Sequence, residues 1–247
     1  MNNDNNRVDD ISNNHAQALN GKPSGLNNMD ALSQYLKSTA GMREGRAIPP
    51  LEKWHPTDIA DIDLTIKANG EWWHEGGQMT RESLVSLFAT ILWKEENNGV
   101  IEYFLKTPVQ KIRIQVEDAP LLINDVGIVY ENDISWLEFT TMTGDVVRLD
   151  NEHPITLKAY NPNINHTANR MGMVDTADHG QESAFTESAS TEQVRPYMTV
   201  RNGLTALIGR NTFYHLTEIG ELTEQNGETI LTLQSGGQSY SLSMPAN

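Results

Sequence analysis

Three arginines stand out in a chain dominated by acidic side chains. Arg81 lies in the first turn of a predicted helix that ends at the stop signal 97–99, and Arg201 begins a second helix predicted over 202–210, with Arg210 at its end. A cation is disfavoured in a first helical turn, because the macrodipole is positive there, unless an anion or an acidic group lies beside it. If both helix starts face one cleft, the guanidinium groups form a positive pocket suited to a phosphate or a carboxylate.

The surroundings of Arg81 also allow a plainer interpretation. Its guanidinium could form a surface ion pair, which contributes little to stability, with Glu82, Glu75 or Asp61.

The aromatic residues also allow two interpretations. Trp54 and Trp72 could stack on a planar ring of a ligand, but aromatic side chains in a small β protein more often belong to the core.

Two pairs of carboxylates could support an enzyme. Asp61 with Asp63, and Glu117 with Asp118, could transfer protons or hold a divalent cation, as in a metal-dependent hydrolase. On a solvated strand face, such pairs are ordinary surface charge. The histidines never fall at a ligand spacing, cysteine is absent, and the common nucleophile and phosphate-loop motifs are missing. We therefore predict no catalytic residue, no metal site and no cofactor.

Charge and hydropathy restrict the partners. The 247 residues carry 18 basic and 33 acidic side chains, a formal net charge of −15, which repels nucleic acid and anionic lipid surfaces. The first residues lack the pattern of a secretory leader, and the longest apolar run is too short to span a bilayer. We expect a cytoplasmic protein with neither nucleic acid nor membrane as its partner.

Period-two alternation predicts the fold class. Residues 61–66 and 111–117 alternate apolar and polar side chains, and further strands are predicted between 121 and 160 and from 213 to 244. With two core helices and strands that follow one another along the chain, we predict an α+β fold that is mainly β.

A repeated pattern and the composition predict the domain organisation. The spacing R-x-x-L-x-x-L-[F/I] starts at Arg81 and again at Arg201, which suggests two similar β-rich modules, each with one core helix, over 48–118 and 119–247. Residues 1–47 are predicted to be a disordered tail with a short helix over 28–39. Residues 161–195 are polar and aperiodic, and we predict a mobile insertion there.

Several longer motifs, taken together and in order, resemble the bacterial domain-of-unknown-function family DUF-1285. They run from 48 to 244 and include Pro49-Pro50-Leu51-Glu52-Lys53-Trp54-His55-Pro56, Asn69-Gly70, Thr107-Pro108-Val109, Val116-Glu117-Asp118-Ala119-Pro120, His153-Pro154, and Arg201-x-Gly203-Leu204 with Phe213-Tyr214. The chain departs from the family pattern at Gly77-Gln78, where Ser-Pro is expected, and in the insertion.

The resemblance implies a duplicated β-rich core whose second module is superficially like a pleckstrin-homology fold. It further implies a cleft between the modules that holds a nucleotide-like ligand, and a role in signalling. Our first hypothesis is therefore a regulatory protein that binds a small anionic ligand between the modules through Arg81, Arg201 and Arg210. The alternatives are the hydrolase and a protein-interaction module that offers an exposed strand edge to a protein partner.

Overall fold

A computed structural model gives the fold of the chain. The structure describes Leu26 and residues 28–40, 48–160 and 193–245. Most of the predicted tail and residues 161–192 of the predicted insertion lie outside the described residues. The predicted short helix is confirmed as α1, Met29–Ala40. No helix among the described residues is long enough and apolar enough to cross a bilayer.

The first sheet contains six strands and is accompanied by one helix. A short 3-10 turn, Leu51–Lys53, leads into it. Its elements in chain order are β1 Asp58–Ile66, β2 Trp72–His74, β3 Gly77–Gln78, α2 Glu82–Ala89, β4 Leu92–Asn97, β5 Val100–Lys106 and β6 Gln110–Val116. The strand order is β3-β2-β1-β6-β5-β4. The central pair, β1 and β6, is parallel, and its other neighbours are antiparallel.

The second sheet also contains six strands. They are β7 Leu121–Glu131, β8 Ile134–Thr141, β9 Val146–Arg148, β10 Ile155–Tyr160, β11 Gln193–Arg201 and β12 Leu204–Ile208. Their order is β10-β11-β12-β7-β8-β9, and the central pair, β12 and β7, is parallel. Counted from its own first strand, each sheet therefore has the order third, second, first, sixth, fifth, fourth. The prediction of an α+β, mainly β fold with two similar modules is confirmed.

The C-terminal part of the chain packs on the second sheet. Helix α3, Arg210–Ile219, follows β12 and contacts β7. A three-stranded meander follows it, formed by β13 Glu221–Gln225, β14 Glu228–Ser235 and β15 Gln238–Pro245. The buried Ser235 side chain ties this meander to the second sheet: its Oγ accepts the Leu137 N–H at 3.1 Å and donates to the Leu149 carbonyl at 2.8 Å.

The predicted extent of the first core helix was wrong. The helix ends at Ala89, and residues 92–97 form β4 instead of about two more helical turns. Asn98 and Gly99 both have positive φ, 53° and 80°. Two positive φ angles are what a two-residue type I′ hairpin turn requires, so these residues turn β4 into β5 rather than stop a helix.

The predicted helix over 202–210 and the predicted strand over 213–219 were also wrong. Asn202 and Gly203 have φ of 49° and 69°, and they form the hairpin turn between β11 and β12. Residues 204–208 are a strand, whereas residues from Arg210 onwards form α3. The R-x-x-L-x-x-L pattern thus falls on a helix in one module and on strands in the other, so it does not mark equivalent positions.

Candidate ligand-binding site

The link between the two six-stranded sheets is held by Asp118, whose side chain is buried. It lies between β6 and β7, and one carboxylate oxygen accepts a hydrogen bond from Arg195 Nη1 at 2.7 Å. The other oxygen accepts the Tyr197 hydroxyl at 2.7 Å. Arg195 and Tyr197 both belong to β11, so this carboxylate joins the end of the first sheet to the second sheet.

The neighbouring residue, Glu117, fixes the turn between β1 and β2. Its carboxylate accepts hydrogen bonds from Lys67 Nζ at 2.7 Å and from the Ala68 N–H at 3.1 Å. Gly70 in the same turn has a φ of 85°, and a Cβ atom there would lie 2.8 Å from Leu122 Cδ2. The turn therefore packs closely against the start of β7, and glycine is needed for both its conformation and its proximity.

A cavity of about 740 Å³ opens between this turn and the second sheet with α3. We call it the junction cleft. Ala68 contributes to one wall, and the polar or charged side chains of the other wall are Gln193, Arg195, Arg210 and Tyr214. The apolar part of its lining includes Leu157, Val194, Pro196, Leu207, Phe213 and Met244.

Arg195 is held rigidly at the edge of the junction cleft. Besides its bond to Asp118, its Nη2 donates to the Gln193 side-chain oxygen at 3.2 Å. The guanidinium also stacks on Tyr160, with its carbon 3.5 Å from the ring centroid. Each terminal nitrogen therefore makes one hydrogen bond, one planar face is covered, and the charge is neutralised by a carboxylate.

Arg210 is in a different electrostatic environment. It is the first residue of α3 and is exposed, and its Nη2 donates to the Tyr214 hydroxyl at 3.2 Å. Among the described residues, no carboxylate pairs with it. The helix has no side-chain cap on Gly209 and no acidic residue in its first turn. The free N–H groups of that turn and the guanidinium thus make this wall positive.

Burial keeps the tyrosines around Asp118 protonated. Burial raises the pKa of Tyr197 well above its usual range, and its hydrogen bond to Asp118 adds to the shift. Burial also raises the pKa of Tyr160. Burial together with the charge of Asp118 raises the pKa of Tyr103 to about 12. These hydroxyls remain hydrogen-bond donors at neutral pH.

Comparison with known proteins identifies the family. The N-terminal domain of a "domain of unknown function (DUF1285)" matches residues 49–119, and the C-terminal domain of a "protein of unknown function (DUF1285)" matches residues 161–242. The chain belongs to the DUF1285 family. The resemblance expected from the sequence is confirmed.

Two crystal structures are similar to this DUF1285 chain. A DUF1285 family protein from Silicibacter pomeroyi DSS-3 is 30% identical with a TM-score of 0.59, and the match covers 85% of this chain and 94% of that chain. A DUF1285 family protein from Shewanella baltica OS155 is 28% identical with a TM-score of 0.39, covering 63% of this chain and 90% of that chain. No curated protein matches the chain.

Of the three arginines predicted to bind the ligand, Arg201 has a structural role in this DUF1285 protein. It lies on β11 rather than in a helix, where its Nε donates to Asp145 at 2.7 Å and its Nη2 donates to the Ala89 carbonyl at 2.5 Å. Only 14% of the Arg201 side chain and 5% of the Asp145 side chain are exposed. Arg201 thus connects the C-terminal end of α2 to the second sheet.

Arg81 does not converge with Arg201. It is the N-cap residue of α2, whereas Arg201 contacts Ala89 at the opposite end of that helix. Arg81 is exposed, and within the described ranges its guanidinium forms none of the ion pairs considered from the sequence. The predicted pocket with Arg81 and Arg201 on one cleft is therefore wrong, and Arg210 alone of the three lines the junction cleft.

The two tryptophans predicted to stack on a ligand lie elsewhere. Trp72 is buried in the core, with 3% of its surface exposed, and Trp54 packs partly buried against the same core. Neither lines the junction cleft; Phe213 and Tyr214 do. The core interpretation of the tryptophans is thus the one that the structure supports.

The predicted carboxylate pairs are separated from each other. Asp61 and Asp63 are exposed on β1, and Asp61 forms an ion pair with Arg113 at 2.9 Å. Glu117 and Asp118 lie beyond the far end of the parallel β1–β6 pair, roughly 15 Å along the strands at about 3.3 Å per residue. In the part of the chain that the structure describes, no group of three or more His, Asp or Glu side chains could hold a metal ion.

Sequence reasoning missed Arg195 and Tyr214 as residues of the cleft. Arg195 was assigned to the insertion, although β11 begins at Gln193. Its position in Arg195-Pro196-Tyr197-Met198, next to apolar residues, marks the return to a folded segment. Tyr214 was assigned to a strand. It follows Arg210 by four residues, the spacing at which two side chains meet on one helix face.

Proposed function

We propose that this DUF1285 protein is a regulatory or signalling protein that binds a small anionic, nucleotide-like ligand in the junction cleft. The observation that carries the proposal is the position of Arg210. Its guanidinium lies at the uncapped start of α3, on the cleft wall, with the Tyr214 hydroxyl as its one side-chain partner among the described residues. An anion placed there would meet both a guanidinium and free backbone N–H groups.

The shape and lining of the cleft support this proposal. Its volume of about 740 Å³ is within the range of roughly 300–1,000 Å³ typical of small-molecule sites. Phe213 and Tyr214 offer aromatic surface for a planar ring. Such sites combine mostly apolar walls with a few polar groups that fix the orientation of the ligand, and this cleft has that combination.

The contrast between local and overall charge also supports a small ligand. The whole chain has a formal net charge of −15, whereas the wall at Arg210 is positive. A long polyanion would meet the negative field of the rest of the surface, while a small anion is screened from it over about 8–10 Å at physiological salt. A nucleic acid partner is disfavoured for the same reason.

Thermal unfolding with a panel of nucleoside mono-, di- and triphosphates tests the proposal. At least one compound should raise the melting temperature of the wild-type protein, and Arg210→Gln should abolish most of that rise. Arg81→Gln is the matched control, because it removes an exposed guanidinium outside the cleft; it should keep the full response. No Arg210-dependent shift with any anion tested would refute the proposal.

A further inference from the structure

The charged side chains around the junction cleft are almost fully paired with one another. Lys67 is neutralised by Glu117, and Arg195 is neutralised by Asp118, each at 2.7 Å. Arg210 is the charged residue of the lining that has no carboxylate partner among the described residues. The built-in charge available to a ligand is therefore about one unit, with roughly half a unit more from the start of α3.

We infer that the ligand of the junction cleft is an amphipathic monoanion, a carboxylate at one end of an apolar chain or ring. The inference rests on the anion site at Arg210 in the proposed function, and it assigns that site a carboxylate ligand instead of a nucleotide-like one. The carboxylate pairs with the free face of the Arg210 guanidinium. The apolar body lies along the wall formed by residues such as Leu157, Leu207 and Met244.

The single uncompensated charge favours a carboxylate over a phosphate monoester. A phosphate monoester carries about −1.5 to −2 at neutral pH, so part of its charge would enter the cleft without a counter-charge. A carboxylate carries one charge, and its two oxygens match the parallel N–H groups of one guanidinium. Arg195 does not supply a second uncompensated charge, because Asp118 neutralises it at 2.7 Å.

Tyr214 supplies a second donor to the same carboxylate. Its hydroxyl oxygen accepts the hydrogen bond from Arg210 Nη2, so its own proton is free to be donated. Tyr214 is 56% exposed although it is a large aromatic residue on the cleft wall. An exposed donor next to an exposed guanidinium is arranged for a ligand oxygen rather than for the core.

The walls favour an apolar body. Eight of the lining side chains are aliphatic, phenyl, thioether or proline groups, which offer no strong hydrogen-bond partner to a sugar hydroxyl. Buried hydroxyls without partners disfavour binding, whereas methylene or aryl groups bind such walls through the hydrophobic effect. Val194, at 49% exposure, extends the apolar wall to the surface.

Isothermal titration calorimetry on the full chain measures how much the carboxylate and the apolar chain of the ligand each contribute to affinity. The probes are octanoate, octanamide, acetate, octyl phosphate and adenosine monophosphate, at neutral pH and one salt concentration. Octanoate should bind at least about tenfold more tightly than octanamide, which lacks the charge, and than acetate, which lacks the chain. It should also bind more tightly than octyl phosphate and adenosine monophosphate.

Three variants assign the effect to the cleft. Arg210→Gln should weaken octanoate binding about tenfold or more, and it should leave octanamide binding nearly unchanged, because only the charged contact is lost. Tyr214→Phe should weaken octanoate binding severalfold. Arg81→Gln should bind all five probes as the wild type does.

The possible failures are distinguishable. If adenosine monophosphate or octyl phosphate binds more tightly than octanoate, and Arg210→Gln removes that binding, this inference is overturned and the proposed function remains. If octanamide binds as tightly as octanoate, the cleft is an apolar site and the carboxylate assignment falls. If no anion binds in a manner that depends on Arg210, both the inference and the proposed function are overturned.

Discussion

The two six-stranded sheets share one strand order but differ in the position of their helix. In the first sheet, α2 lies between the third and the fourth strand, β3 and β4. In the second sheet, the corresponding connection is the loop 149–154, and the helix, α3, follows the sixth strand. The same strand order thus occurs with the helix between the third and fourth strands or with the helix after the sixth strand.

This difference decides where the candidate site lies. The start of α3 opens onto the junction cleft and presents Arg210 there. The start of α2 presents Arg81 to solvent, and the end of α2 is fixed by Arg201. One helix therefore serves the connection between the sheets, whereas the other carries the groups that can bind a ligand.

The largest expected effect comes from cutting the connection between α2 and the second sheet. Arg201→Ala removes the buried ion pair with Asp145 and the hydrogen bond to the Ala89 carbonyl, and the free energy of unfolding should fall by about 3–5 kcal/mol. Urea denaturation measures it, with Arg81→Ala as the exposed control, for which a change below about 0.5 kcal/mol is expected. A loss below about 1 kcal/mol in Arg201→Ala would mean that α2 does not depend on this contact.

At alkaline pH, ionisation of Tyr103 on β5 should lower the free energy of unfolding of the first sheet. Because burial and the charge of Asp118 raise its pKa from 10.0 to about 12, the folded protein holds this proton more tightly than the unfolded chain does. The resulting stability is complete below about pH 10 and is lost as the pH rises towards 12. Tyr103→Phe should reduce that loss by about 2 kcal/mol at pH 12, measured as urea unfolding free energies from pH 8 to 12. Identical pH dependences of the two proteins would contradict it.

The contact between the β1–β2 turn and the second sheet should have an intermediate effect. Gly70→Ala introduces a Cβ atom at 2.8 Å from Leu122 as well as backbone strain, and we expect a loss of about 2 kcal/mol. Gly99→Ala is a matched control, because Gly99 has a φ of 80° but faces open space. It should lose about 1 kcal/mol, and equal losses in the two variants would show that the junction contact contributes nothing.

The smallest expected effect concerns the loop that replaces α2 in the second sheet. Asp150 accepts the N–H groups of Glu152 and His153 at 2.9 Å and 2.8 Å. Burial raises the pKa of Asp150, but the hydrogen bonds from His153 and Glu152 outweigh burial and hold the pKa below its ordinary value. Asp150→Asn should cost about 1 kcal/mol or less at neutral pH. The difference from wild type should begin to shrink near pH 4 and disappear as the pH falls through the lowered pKa of Asp150, which a series of chemical denaturations from pH 7 downwards checks.

The strands of the first sheet and helix α1 were largely predictable, whereas the extent of α2 and the position of α3 were not. Alternation over 61–66 gives β1 directly, because one face of that strand is buried and the other exposed. The apolar stripe of α2 continues by chance into Ile91, which lies in the turn after the helix, and Leu92, the first residue of β4, and both are buried there. Short apolar runs fit both periods, so pattern alone extends the helix too far.

The turn residues contained the information that corrects the predicted length of α2 and the predicted helix over 202–210. Asn98-Gly99, Asn202-Gly203 and Asn226-Gly227 all have two positive φ angles. Treated as hairpin turns, the first two would have predicted β4 and the β11–β12 hairpin. The junction cleft could not be predicted in the same way, because Arg195 and Arg210 come together only through the pairing of β11 with β12 and the start of α3.

The parallel central pair of each sheet determines when that sheet can be completed during synthesis. β1 must wait for β6, since Asp58 pairs with Gln110, and β7 must wait for β12, since Leu121 pairs with Ala206. During translation the first sheet can close before the second, because β7 pairs early with β8 but waits for its parallel partner β12 over a longer stretch of chain. The strand order therefore favours folding of the first sheet before the second, and the junction cleft, which needs the second sheet and α3, forms last.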